Sequence, residues 1–429
     1  MGGGNPMSHI IIQGGGRLEG ALTIQGAKNS VLPILAASIL HPGRTTLLGC
    51  PHLSDVEASI RILRHLGCKA GWEGEALVVD ASTVDRWDIP DDMMREMRSS
   101  VVFLGAILAR MGWAELSHPG GCELGPRPID LHLTALRQLG AHLREESGCL
   151  RCTAQHMEGR EIVLNMPSVG ATENVILAAC GAAGETVLIN AAREPEIADL
   201  QSYLQAMGCR VRGAGSSTIC IQGRQPTHDV THAIMPDRIV AATYLSAVAA
   251  AGGEVELRRV CHGHLSTVAA ALHAAGCRIS GEEGRLALRS EGRLRAIGTV
   301  RTAPYPGFPT DAQAVLMAAL LRAQGATVFV ENIFENRYRH VDELCRMGAD
   351  ISVAGRVAVI TGVDALYGAQ VRCTDLRGGA ALLVAGLSAQ GETRIGDIRH
   401  IQRGYEDPVG DLRALGAQIR LEESETSLP

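Results

Sequence analysis

Aromatic side chains are scarce in this 429-residue chain, which has three tryptophans, six tyrosines and four phenylalanines, 3% of the whole. A core without many large rings must be built from small aliphatic residues, and helices rich in alanine and glycine can pack closely. An excess of positive charge is also missing: the formal net charge is −6 and the isoelectric point is near 6.2. A basic face of the kind that holds nucleic acid or an anionic membrane is therefore not expected, and an anionic ligand must be met by local cations. No apolar run reaches the ~20 residues of a bilayer-spanning helix; the longest, such as Val240 to Gly253, stop short. The first thirty residues lack the basic and apolar regions of a secretory signal, so a cytoplasmic protein without membrane insertion is expected. Gly-x-x-x-x-Gly-Lys-(Ser/Thr), Gly-x-Gly-x-x-Gly after a strand and His-Glu-x-x-His are all absent, which leaves nucleotide triphosphatase, dinucleotide and zinc-protease readings without support. No metal-ligand cluster stands out, because Cys149 and Cys152 have Cys-x-x-Cys spacing but no second pair nearby. The twelve cysteines, in a long cytosolic chain, are expected to be reduced thiols.

What is present is repetition. A helix end reading Leu-x-x-(Leu/Met/Ala)-Gly-(Cys/Ala), or close to it, recurs with its glycine at Gly67, Gly140, Gly208, Gly276, Gly348 and Gly416, at intervals of 73, 68, 68, 72 and 68 residues. A second mark, an alanine-rich apolar helix ending in glycine before a β-branched run, recurs at Gly43, Gly112, Gly184, Gly253, Gly325 and Gly391. The chain thus reads as six copies of one unit: apolar helix, glycine stop, strand, polar loop, second helix, glycine stop, strand. The glycines serve as helix caps with positive φ. The first helix type, as in Val31 to Leu40, Ser99 to Ala109, Val240 to Ala251 and Ala380 to Ala389, is apolar nearly all round and should be buried on every side. The second type, as in Ser54 to Leu66, sets Val56, Ile60 and Leu63 on one stripe with Asp55, Arg61 and Arg64 opposite, a half-exposed helix. Cys68, Cys209 and Cys277 share one repeat position just after the glycine, which marks a packing position.

Features that the repeats do not share are candidates for a site. The stretch from Pro119 to His132, Pro-Gly-Gly-Cys-Glu-Leu-Gly-Pro-Arg-Pro-Ile-Asp-Leu-His, carries three glycines and three prolines among fourteen residues. It forbids regular structure and lets backbone approach a ligand, before a helix from Leu131 to Leu139. Cys122, Arg127 and Asp130 cluster there, and Cys122 has no counterpart in the other five units. A free cysteine more generally behaves as a small hydrophobe, but a thiol in a Gly/Pro loop near cations is placed to react. Gly26-Ala27-Lys28-Asn29-Ser30 opens the first buried helix, so Lys28 lies at a positive helix N-terminus suited to an anion, or is a solvated lysine at a helix start. Arg98 holds the equivalent place before the second buried helix, and Pro167-Ser168-Val169-Gly170 before the third, where Ser168 and the Gly170 amide can donate to phosphate. Asp311 opens the fifth and, on spacing alone, is adequately explained as a helix N-cap. Arg337, Arg377 and Arg403 each fall in a polar loop between strand and helix.

Taken together, Gly26 to Asn29, the Pro119 to His132 loop, Pro167 to Thr172, Ala191 to Glu196, Pro236-Asp237-Arg238, Arg301 to Pro304, Phe308 to Asp311 and Phe334 to Arg337 resemble the UDP-N-acetylglucosamine 1-carboxyvinyltransferases, enolpyruvyl transferases of peptidoglycan synthesis. The resemblance runs in order from about Ile10 to Arg420, and the Pro-Gly-Gly-Cys loop is specific to it; the related 5-enolpyruvylshikimate-3-phosphate synthase shares the sixfold repeat but not that loop. It implies an α/β fold of two inside-out barrel-like domains, each of three repeated units with buried helices, and an active site in the interdomain cleft. The first domain spans 26–235 and carries the cysteine loop; the second joins 1–25 to 236–429. It implies transfer of the enolpyruvyl group of phosphoenolpyruvate to the 3′-hydroxyl of UDP-N-acetylglucosamine, through a tetrahedral intermediate, with no cofactor and no metal.

By position, Cys122 resembles the loop cysteine that acts as general acid at the enol methylene and is alkylated by fosfomycin, and Asp311 the carboxylate proposed as base toward the sugar hydroxyl. Lys28, Arg98, Arg127 and Arg403 match a cationic shell completed by Arg337 and Arg377, with Lys28 and Arg403 in the catalytic set. Asn29 matches a substrate-orienting amide; Arg127, Pro128, Ile129, Asp130 and Leu131 with Ser168, Val169 and Gly170 match the uridine diphosphate contacts; Ile333 and Phe334 are further substrate contacts. Gln402, where many relatives have aspartate, and Gly378-Gly379, where bulkier residues are common, depart from the pattern. Two other readings stand beside this one: transfer to a different acceptor, opposed by the Cys122 loop and the Ser168 segment, and a catalytically silent ligand sensor, opposed by the presence of Cys122 and Asp311.

Overall fold

The six sequence units fold alike. The computed structural model describes residues 8–117, 129–146 and 148–423, and its strands form six four-stranded sheets with one shared order. An edge strand runs parallel to the next, which is followed by two further antiparallel strands, a hairpin in five of the six sheets. Arg44–Leu48, for example, pairs parallel with Val230–Ala233 and antiparallel with Ala76–Asp80, which folds back on Lys69–Glu73.

The chain completes these sheets by lending strands across sequence. Ser8–Gln13 inserts between Glu392–Gly396 and Gln418–Glu423, antiparallel to both, and completes the last sheet. Leu18–Thr23 runs parallel to Gly253–Val260 although the next helix in the chain is Lys28–Ala37. The described residues accordingly divide into two compact units, 26–235 and 8–25 with 236–423, each with its own apolar core.

At the centre of the first unit lie Lys28–Ala37, Phe103–Met111 and Val169–Gly181; in the second, Arg238–Ala251, Thr310–Ala319 and Leu376–Ser388 pack on one another. These helices are buried on all sides, as in Lys28–Ala37, where every residue from Ser30 to Ala37 is covered. Each leucine or isoleucine so buried stabilises its unit by about 1.5–3 kcal/mol. The lack of aromatics is met by close backbone approach: a Cβ on Gly105 would lie 2.3 Å from the Asn174 carbonyl oxygen of the neighbouring helix. In Ser54–His65, Val56, Ile60 and Leu63 face inward, the stripe that the sequence spacing requires.

The glycines of the first mark all take left-handed conformations, with φ from 91° to 112°. Five of the second mark do the same, but Gly43 does not. It must be glycine for another reason, since a Cβ there would meet His41 Nε2 at 2.3 Å and Asp229 Oδ1 at 2.4 Å, a pair bonded at 2.9 Å. Helix ends also differ from expectation because apolar periodicity sees only the buried middle. The first helix begins at Lys28 and passes into a 3-10 turn, Ser38–Leu40; the second is preceded by the 3-10 turn Arg98–Val102; the helix after the cysteine loop is Asp130–Gln138; and Leu376–Ser388 starts where Asp375 caps the amides of Arg377 and Gly378. No helix among the described residues is long and apolar enough to cross a membrane.

Candidate active site

In the 26–235 unit the chemistry gathers at the N-terminal ends of the buried helices. Lys28 is the first residue of its helix, whose cap Ala27 has no capping side chain, and the amides of a first helical turn present partial positive charge. Lys28 is not the solvated lysine of the simpler reading: its Nζ lies 2.5 Å from Asp55 Oδ2, with the two side chains 11% and 2% exposed. Asp55 is thus buried, not on the solvent face that its helical spacing suggested. Asn29 is half-buried beside it. Ser30 donates to Asp199, which also accepts from the Met235 amide at 3.2 Å and meets His232 Nε2 at 3.0 Å. This network fixes the turn from which Lys28 projects.

Ser168 is the N-cap of Val169–Gly181, accepting from the Ala171 amide at 3.4 Å. Val169 and Gly170 follow, half-buried, and His132 approaches Gly170 closely enough that a Cβ there would lie 2.9 Å from its ring. Asn174 holds the group together: its amide nitrogen lies 2.8 Å from His132 Nδ1 and donates to the Val101 carbonyl at 3.0 Å, while its oxygen accepts from the Gly105 amide at 2.7 Å. Ile129 and Leu131 are half-buried and Asp130 is exposed at the start of its helix. Cys122, Arg127 and Pro128 lie outside the described residues, as does the side chain of Arg98.

In the other unit Asp311 sits in the first turn of Thr310–Ala319, but it is not the cap, a position held by Pro309. Its carboxylate instead takes two arginines, Arg337 Nη2 at 2.6 Å and Arg377 Nε at 3.1 Å. Burial alone would raise the Asp311 carboxyl, yet Arg377 and Arg337 hold it far below the usual carboxylate range. Burial opposes the Arg377 charge, but Asp311 more than offsets it and raises the guanidinium above its ordinary value. Arg377 is not in a loop; it is the second residue of the helix Leu376–Ser388. Arg337 is 3% exposed, donates also to the Thr310 carbonyl at 3.1 Å and lies over the Phe334 ring. Ile333 and Phe334 are held by Glu331, whose Oε1 accepts both their amides at 2.8 and 3.1 Å.

Arg403 ends the 3-10 turn Ile398–Arg403 and is half-buried, with Gln402 exposed beside it. The turn is anchored from both sides: Gln25 donates to the Gly404 carbonyl and accepts from the Glu406 amide, and Tyr405 bonds Thr243 at 2.7 Å. A Cβ on Gly379 would lie 2.7 Å from Ile401 Cγ1, so this glycine lets the Arg403 turn seat against the buried helix.

Asn174, Asp199, His232 and Glu331 escaped the sequence reading, and Asp55 was assigned to the solvent face, because these residues act across space and follow no period. One signal pointed toward Lys28: among 40 basic residues only it and Lys69 are lysine. Glu173, beside Asn174, carries a further consequence. Burial, with Glu196 and Glu194 nearby, raises its carboxyl well above the ordinary value of 4.5. A carboxyl whose folded pKa is raised stabilises the fold at low pH and loses that contribution as pH climbs past 4.5. Glu173→Gln is therefore expected to raise the melting temperature by a few degrees at pH 8 and to leave it unchanged near pH 4, which a pair of thermal melts checks; a loss at pH 8 would show that the charged form is wanted.

Residues 12–412 match the family model of EPSP synthase (3-phosphoshikimate 1-carboxyvinyltransferase). The chain is 48% identical over 413 residues to UDP-N-acetylglucosamine 1-carboxyvinyltransferase 2 of Caldanaerobacter subterraneus subsp. tengcongensis, covering 96% of this chain and 99% of that one. It is 46% identical to UDP-N-acetylglucosamine 1-carboxyvinyltransferase of Zymomonas mobilis, with 96% and 99% covered. Among solved structures, the enolpyruvyl transferase NikO from Streptomyces tendae matches at TM-score 0.86 and 26% identity over 98% of this chain and 100% of that one. The EPSP synthase of Acinetobacter baumannii shares the fold at TM-score 0.71 and 18% identity, with 97% and 100% covered.

Proposed function

Because the chain belongs to the EPSP synthase family of enolpyruvyl transferases, among the UDP-N-acetylglucosamine 1-carboxyvinyltransferases, we propose that it moves the enolpyruvyl group of phosphoenolpyruvate to the 3′-hydroxyl of UDP-N-acetylglucosamine and releases phosphate. This is the first committed step of peptidoglycan precursor synthesis, carried out in the cytoplasm on soluble substrates. The observation that carries the reading is the Asp311 carboxylate gripped by two buried guanidiniums at 2.6 and 3.1 Å. Such cations are costly to bury and are retained where an anion must be held.

The steps follow from the charges. Phosphoenolpyruvate and a diphosphate sugar repel each other, and Lys28, Arg98, Arg127, Arg377 and Arg403 offset that repulsion and stabilise charge as it develops. Cys122 gives a proton to the enol methylene while the sugar oxygen bonds to the adjacent carbon; the tetrahedral adduct then returns a proton from its new methyl group to the Cys122 thiolate and expels phosphate. Asp311 receives the hydroxyl proton. Gripped by both arginines it is a weak base, but an anionic substrate that draws Arg337 and Arg377 away lets its proton affinity rise toward that of an ordinary carboxylate. Ser168, Val169, Gly170 and the segment Ile129 to Leu131 hold the nucleotide, with Asn29 orienting the sugar and Ile333 and Phe334 beside it.

Incubation in heavy water followed by mass spectrometry of the nucleotide tests this route. The product should be heavier by one enolpyruvyl group and carry deuterium in its vinyl carbon; a product without deuterium would contradict addition and elimination. Gly379→Ala, by pushing Ile401 and the Arg403 turn, is expected to raise the KM for phosphoenolpyruvate on the order of tenfold, equal to ~1.4 kcal/mol, with the KM for the nucleotide little changed. Steady-state kinetics on both substrates decides, and unchanged values would release Arg403 from this assignment.

A further inference from the structure

Cys209 occupies the repeat position that it shares with Cys68 and Cys277, yet its surroundings differ. Burial pushes the Cys68 thiol up to about 12 and the Cys277 thiol up to about 11, as expected for packed hydrophobes. Cys209 instead lies beside a second thiol, Cys180, the penultimate residue of the buried helix Val169–Gly181. Both cysteines line one open pocket of about 560 Å³ at the C-terminal ends of the buried helices of the 26–235 unit, with Arg110 and Arg224 in its wall. Cys209 is 8% exposed and Cys180 is half-buried. Arg224 is built into this place: at φ 53° its amide donates to the Cys180 carbonyl at 2.8 Å and its Nε to the Gly181 carbonyl at 3.3 Å. Two neighbouring thiols open to one cavity are the arrangement of an oxidisable dithiol.

We propose that Cys180 and Cys209 form an oxidisable dithiol, a modification site separate from the transferase residues, whose co-reactant is a hydroperoxide small enough to enter the pocket. The neighbouring Cys180 lowers the Cys209 thiol against the opposing effect of burial, so Cys209 is the first to ionise. Its thiolate attacks the peroxide oxygen, breaking the O–O bond to give a sulfenic acid and, after protonation, an alcohol or water. The Cys180 sulfur then bonds to the Cys209 sulfur, and the sulfenic oxygen leaves as water with the Cys180 proton. Two thiols are oxidised to one disulfide, and one hydroperoxide is reduced.

The test is peptide mapping of the folded protein after hydrogen peroxide, with remaining thiols alkylated before proteolysis. A peptide pair joined through Cys180 and Cys209, lighter by two hydrogens than the separate peptides and split by dithiothreitol, is the expected result. In Cys180→Ala, whose folding circular dichroism checks, dimedone should label Cys209, because the sulfenic acid no longer has a partner. Recovery of Cys180 and Cys209 as unoxidised thiols while the exposed Cys261 is oxidised would overturn the proposal, as would dimedone labelling that leaves Cys209 untouched in the variant. Wild-type mapping decides by itself should the variant not fold.

Discussion

Replacing Cys122 by serine is expected to lower kcat by about 10²- to 10⁴-fold, the usual contribution of a general acid, while the KM for UDP-N-acetylglucosamine stays within a few-fold of its original value. The enol methylene is a carbon base and needs a donor whose proton is available near neutral pH. A thiol meets that need, whereas an aliphatic hydroxyl holds its proton far more tightly. Serine preserves size and hydrogen bonding, so a large loss isolates proton donation from loop shape. The nucleotide contacts assigned to Ser168, Val169 and Gly170 are untouched by the change, and for that reason the effect should fall on kcat. Steady-state rates with both substrates give the answer; most of the activity surviving in the variant would remove Cys122 from the acid role.

Asp311→Asn should have an effect of comparable size, on two quantities at once. Turnover is expected to fall by about 10²- to 10⁴-fold because no base remains for the sugar hydroxyl. Stability should fall as well, since Arg337 and Arg377 are then buried side by side without their carboxylate, and breaking a buried pair costs about 3–5 kcal/mol. The two effects part company when an anion is added: phosphate or phosphoenolpyruvate should restore the melting temperature of the variant more than that of the parent, without restoring turnover. The pH dependence has a definite sign. A carboxyl held far below 3.8 gives stability that is complete above that value and is lost only as pH falls through the lower folded pKa. Asp311 should therefore leave stability flat between pH 5 and 8, and the stability gap between Asp311→Asn and the parent should stay constant over that range. A variant as active as the parent would overturn the base assignment, and one as stable would overturn the ion-pair account.

The architecture was legible because it is periodic. Two glycine markers in step, at spacings near seventy residues, require a repeated unit, and the left-handed φ values at Gly67, Gly140, Gly208, Gly276, Gly348 and Gly416 are the physical content of the first marker. Apolar runs without a polar face foretold helices buried on all sides, and Lys28–Ala37 is such a helix. What spacing could not supply was pairing across space. Asp55 sits at a solvent-face position of its helix wheel and is nevertheless buried against Lys28. Asp311 satisfies the local rule for an N-cap, yet two arginines remote in sequence take its carboxylate. Arg377 reads as a loop residue until Asp375 is seen to cap the helix ahead of it. Cys209 looks like its repeat partners until Cys180 is found against it. Each departure occurs where a local pattern meets a charged or reactive group from elsewhere in the chain, which is where sites are built.

The most direct test of the central claim is phosphate release by the purified protein given phosphoenolpyruvate with either UDP-N-acetylglucosamine or shikimate 3-phosphate. Phosphate should appear only with the sugar nucleotide, in step with a nucleotide product heavier by one enolpyruvyl group. Phosphate with shikimate 3-phosphate instead, or none from a folded protein with either acceptor, would contradict the account.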